Sequence, residues 1–240
     1  MLAKLWAKID NAERRLRHSF GKDLTDPGAR RWGRFHYHIF DHAFLRVLWT
    51  NFWPVAPGVW RSNQPTHARF EKYAKMGIKT VVNLRGEDKH AHYLFEKESC
   101  DALGLTLVNA KIHAREAAGR KRIVAVIDAL RAAERPMVFH GKAGADRAGF
   151  TAAMYLMIFE GASVDEAMKQ LGLKFIHLDF TATGVQDYIL RVYKARLEQG
   201  QIGFEDWIRG EYHAATLQEG WDTRRPEAET AQMLIDKAPK

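Results

Sequence analysis

A single cysteine, Cys100, stands in 240 residues. The chain therefore forms no internal disulfide and no thiolate metal cluster, and it suits a reducing compartment. Long apolar runs are missing too. A bilayer span takes about 20 nearly uncharged residues, whereas the most apolar stretch, 39 to 53, is broken by Asp41, His42 and Arg46. The amino terminus lacks the apolar core of a cleaved signal, because Lys4, Lys8 and Asp10 interleave with Leu2, Leu5 and Trp6. The expectation is a soluble, cytoplasmic protein. Acidic residues are the scarcer sign, 29 Asp and Glu against 37 Lys and Arg, and the net charge of +8 selects an anionic partner such as a phosphate ester, a nucleic acid or an acidic headgroup. No run of five basic residues and no zinc-finger spacing occurs, which argues against nucleic acid.

Residues 1–54 read as a helical extension, since Leu2, Leu5, Trp6, Ile9 and Leu16 recur at helical spacing beside Arg14, Arg15 and Arg17. That helix has two readings: packed on the domain, or in peripheral contact with a membrane surface. His36, His38, Asp41 and His42 lie close in sequence, but nothing elsewhere is spaced to complete a metal site. From residue 55 short apolar runs alternate with helical patterns. Strands are expected at Val59–Trp60, Thr80–Leu84, Leu105–Asn109 and Met137–His140. Helices are expected at 66–76, 89–103, 122–133, 147–159, 164–171, 185–197 and 204–208. Strands separated by such helices imply right-handed crossovers, hence an α/β domain with a central, mainly parallel sheet flanked by helices over residues 55–212. Residues 213–240 read as a polar, partly mobile tail in which Met233, Leu234 and Ile235 could dock.

The informative stretch runs from Pro136 to Gly149. The apolar strand Met137–His140 enters a small-residue loop, Gly141-Lys142-Ala143-Gly144-Ala145-Asp146, and the loop opens a helix at Arg147. Such a loop gathers backbone N–H groups of residues 142–147 at the positive end of a helix, which suits an oxyanion such as phosphate or sulfate. Arg147 can add two parallel N–H bonds to the same anion. The loop is not the G-x-x-x-x-G-K-[ST] nucleotide type, because no Lys-Ser or Lys-Thr pair follows the second glycine.

His140-x-x-x-Gly144-x-x-Arg147 after a buried strand resembles the His-Cys-x5-Arg signature of the cysteine-dependent protein tyrosine and dual-specificity phosphatases. Upstream, Gly58-Val59-Trp60-Arg61-Ser62-Asn63-Gln64-Pro65 and Met76 to Arg85 resemble the opening strand, helix and second strand of bacterial members, so the likeness covers roughly residues 55 to 200. It implies a protein tyrosine phosphatase-like fold, hydrolysis of phosphomonoesters through a cysteinyl-phosphate, no metal and no cofactor. The partners it implies are a phosphorylated protein or a phosphoinositide or phospholipid headgroup.

The departure lies at the centre: the family's nucleophilic cysteine position holds Gly141. Cys100, near the end of a helix, is read as structural. Either the chain resembles the natural pseudophosphatases that bind without cleaving, or the glycine is a deliberate change in an active enzyme; on both readings it binds phosphate and does not turn over. The expected general-acid aspartate after the strand 105–109 is also missing, leaving Glu116, His113 and Asp146 as candidates. Asp146 resembles the Gly-x-Asp-Arg arrangement of myotubularin-type lipid phosphatases, and it equally suits a helix N-cap. His140 is read as ordering the loop through hydrogen bonds, and Lys142 as charge at its mouth or a solvated rim.

Overall fold

The structure is a computed structural model that describes residue 24 and residues 26–39 and 49–238. The expected helix near the amino terminus, with its membrane contact, lies outside the described residues, as do Asp41, His42 and the side chains of His36 and His38. Contacts divide the chain into two compact units. The first takes residues up to 50 together with 65–77 and 87–106, and the second takes 51–64, 78–86 and 107–240.

In the first unit helix α1 (Pro27–Ile39), α2 (His67–Lys75) and α3 (Ala91–Leu103) pack together. Thr66 precedes α2 in extended conformation, and Gly104 ends α3 at φ 67°, a left-handed angle that glycine adopts without Cβ strain. Cys100 is buried on α3.

The second unit holds a five-stranded sheet in the order β1-β2-β5-β3-β4. The strands are β1 (Trp53–Ala56), β2 (Val59–Ser62), β3 (Thr80–Asn83), β4 (Thr106–Asn109) and β5 (Met137–His140). Strands β2, β5 and β3 run parallel, with Ser62 and Asn83 in register with His140, while β1 returns antiparallel along the edge. The sequence pattern missed β1 because Pro54 removes a ladder donor, a loss tolerated at an edge. Central β5 is buried at all four positions, as a doubly covered parallel strand requires.

Helices α4 (Arg120–Ala132), α5 (Asp146–Phe159), α6 (Val164–Met168), α7 (Val185–Leu197) and α8 (Phe204–Gly210) follow the expected order. Helix α5 is apolar around most of its circumference and correspondingly buried from Ala148 to Tyr155. Residues from 213, expected as a polar tail in which Met233, Leu234 and Ile235 could dock, form α9 (Ala214–Thr223) and α10 (Glu227–Lys237), and Leu234 does dock. Leu217, Ala231 and Leu234 join the same apolar core as Val59, Val82, Phe139 and Trp207. The three apolar side chains recur at wide spacing among polar ones, so their shared face shows only once the chain is helical. Leu234→Ala is expected to cost about 2–5 kcal/mol in urea unfolding, the range for emptying a buried leucine site; an unchanged midpoint would mean that α10 does not belong to the core.

Candidate functional site

The loop between β5 and α5 leaves the carboxyl end of the central strand, flanked by the ends of β2 and β3, where open α/β sheets form their ligand crevice. His140 is fully buried, its Nδ1 lies 3.2 Å from the Gly141 carbonyl oxygen, and its own carbonyl accepts from Leu84 N at 2.9 Å.

The next four carbonyls are each held from outside. Gln64 N donates to Lys142 O at 3.2 Å, and Asn51 Nδ2 donates to Ala143 O at 3.2 Å. Arg61 NH2 donates to Gly144 O at 2.8 Å and to Ala145 O at 3.0 Å. In a trans peptide the N–H points opposite to its C=O. Fixing these carbonyls on the scaffold therefore turns the N–H groups of residues 143–146 the other way, and the first N–H groups of α5 add to them as the orphan donors of a helix start. Gly144 is required twice: φ is +73°, and a Cβ there would sit 2.6 Å from Asn63 N and 2.7 Å from Ser62 C.

Arg61, within the stretch that carries the resemblance, and Asn51 meet partners far along the chain, which no local spacing reveals. Arg61 is completely buried on β2, stacks 3.9 Å above the Phe175 ring, and also donates to Gln170 O at 2.6 Å. Burial pulls its guanidinium down to about 9, with Asp146 acting in the opposite direction, so it remains a cation at neutral pH. Asn51 takes φ 45° and binds both Ala143 O and Phe175 O, the latter at 2.9 Å.

Gly141 is buried beside Arg147: a Cβ added to it would lie 3.5 Å from Arg147 Cβ and 3.6 Å from Arg147 Nε, ordinary contact distances. The side of Gly141 that would carry a side chain thus faces the arginine. Lys142, Asp146 and Arg147 are half-buried and Ala143 is exposed.

Asp146 is the first residue of α5, and Ala145 occupies the cap position. Its Oδ1 lies 2.8 Å from His177 Nδ1, and His177 Nε2 lies 2.6 Å from Asp187 Oδ2. Neither partner could be read from spacing, since 31 and 10 residues separate them from His177. The other acid candidates hold each other, with His113 Nδ1 bonded to Glu116 and Nε2 to Arg122. Burial, then Arg122, Lys111 and Arg147, lower the His113 pKa. Cys100 is sealed off: burial, reinforced by Glu96 and Asp101, pushes its thiol well above the ordinary value, which disfavours a thiolate.

Gly144→Ala is expected to destabilise the protein by about 2–5 kcal/mol, combining left-handed strain with overpacking against β2. Urea unfolding of the variant checks this, and wild-type stability would contradict the tight seating of the loop.

Comparison with known proteins follows the same line. The profile described as "DSP-PTPase phosphatase fused to NAD+ Kinase" matches residues 55–183, more than half of the chain. None of the curated proteins compared matches. Among solved structures, TpbA of P. aeruginosa is 22% identical with a TM-score of 0.50, covering 59% of this chain and 84% of its own, a likeness of fold. The core catalytic domain of the PP-IP phosphatase SIW14 from S. cerevisiae, solved with citrate, is 16% identical with a TM-score of 0.48, covering 60% of this chain and 91% of its own. That profile match, over a strand, loop and helix in the order the family's site requires, places the chain in the family of DSP-PTPase phosphatases described as fused to NAD+ kinase.

Proposed function

We propose that the loop from His140 to Arg147 binds the phosphate of a phosphomonoester, and that this chain, with Gly141 at the nucleophile position, holds it without hydrolysing it. The observation that carries the reading is the restraint of four successive carbonyls by Gln64, Asn51 and Arg61, which turns the intervening amides away from those partners, a disposition that suits an anion. Arg147 adds a bidentate cation and Lys142 further positive charge. A phosphorylated protein and a phosphoinositide headgroup both carry the group that such a loop takes, and the net charge of +8 suits either.

Hydrolysis in the family's manner needs a thiolate to attack phosphorus, a proton for the departing oxygen, and water to cleave the cysteinyl-phosphate. Glycine supplies no thiolate, and the buried Cys100 does not stand in for one. Of the candidate acids, Asp146 sits in the loop itself, while Glu116 and His113 are bonded to each other.

The position at 141 is open to repair. A side chain there points at Arg147 at ordinary contact distance, and the backbone is outside the left-handed region. Gly141→Cys is therefore expected to fold and to release phosphate from p-nitrophenyl phosphate near pH 6, with the glycine form inert. A folded cysteine form that binds vanadate yet releases nothing would make the chain a binding module in more than one residue. Turnover by the glycine form would overturn the reading.

A further inference from the structure

A carboxylate inside an anion-binding loop is a liability. Asp146 is such a group, with 26% of its side chain exposed. We propose that His177 is a positioning residue that acts as the built-in counter-cation of Asp146, fixing its carboxylate and cancelling its charge so that a dianion can enter the loop. The proposal rests on the phosphate-binding reading of that loop.

The geometry calls for a cation. Both ring nitrogens of His177 face carboxylate oxygens, Asp146 Oδ1 at 2.8 Å and Asp187 Oδ2 at 2.6 Å. A neutral imidazole has one bare lone pair, which would point at an anion, whereas the imidazolium donates on both sides. The ring is 1% exposed, so neither bond competes with bulk water. Burial alone would drive the proton off; the hydrogen bonds and charges of Asp146 and Asp187 overcome it and raise His177 to about 9.

The groups facing the imidazole are Asp146 from α5 and Asp187 from α7, and Arg61 of β2 acts on Asp146 from beneath the loop. Two carboxylates, one imidazolium and one guanidinium sum to zero. Removing the His177 proton leaves these four groups with one net negative charge, which offsets part of the positive charge that Arg147 and Lys142 offer a dianion. The backbone also serves this placement: Ile176, a β-branched residue, is held at φ 58°, a costly conformation found where the surroundings over-determine it. It is the left-handed cap of the 3-10 turn Leu173–Phe175, and the next amide, His177 N, donates to Gly172 O at 3.1 Å.

Sulfate is the probe, because it stays a dianion from pH 6 to pH 10, and amide shifts of the full chain report its binding. Wild type is expected to bind at pH 7 and to weaken as pH rises through about 9, since the raised pKa means that the cation is lost only there. His177→Gln should bind about tenfold more weakly at pH 7 and lose the share of that step that belongs to the imidazole, the Arg61 guanidinium keeping its own near the same pH. Adding Asp146→Asn to His177→Gln should restore binding, a rescue that a merely structural histidine would not show. If His177→Gln fails to fold, Asp187→Asn serves instead, with the imidazole titrating lower and sulfate binding weaker at pH 8. Sulfate binding that ignores His177, or ring nitrogen shifts showing a neutral imidazole at pH 7, would overturn the inference and leave the loop reading intact. Failure of the wild type to bind any sulfate would remove both.

Discussion

The buried guanidinium of Arg61 is the interaction on which the site depends. A cation withdrawn from water on a central strand is costly unless its donors are used. Here NH1 and NH2 donate to Gln170 O, Gly144 O and Ala145 O, with the Phe175 ring beneath the planar face, while the buried Nε has no hydrogen-bond partner among the described residues. One side chain thereby ties the sheet, the phosphate-type loop and the segment after α6 into a single arrangement. A lysine could not copy it, because one ammonium lacks the fork that reaches two loop carbonyls while lying flat on a ring.

The architecture was legible to the extent that local pattern decides it. Buried β5 reads as an unbroken apolar run, and Gly104 and Gly161 stop helices by taking left-handed angles that few other residues accept. The loop was legible as well, since an apolar strand, small residues and a helix start sit next to each other in sequence. Other features depend on partners distant in the chain. Asn51 reaches residue 143 and Arg61 reaches 144 and 145, across 92, 83 and 84 residues, and no periodicity encodes such meetings. The trio of Asp146, His177 and Asp187 is of the same kind. The C-terminal helices were misread because their buried positions are sparse and their exposed faces dominate the composition.

On the proposed reading, Gly141 separates two properties that the family's architecture normally combines. The amides and Arg147 that would stabilise a thiolate are the groups proposed to bind phosphate, so a glycine in place of the thiol would remove the nucleophile and spare the anion site. Its loss also removes a negative charge from the bottom of the loop, which leaves Asp146 as the carboxylate within it, and the structure answers that carboxylate with His177 and Arg61.

The central claim is that the amides after β5 converge on an anion, and a crystal of the unmodified chain grown with tungstate tests it most directly, since the metal atom marks its own position by anomalous scattering. The account predicts one tungstate within hydrogen-bond distance of the amides of residues 143–147 and of both arms of Arg147. An empty loop with Arg147 turned to solvent, or tungstate bound only elsewhere, would contradict it.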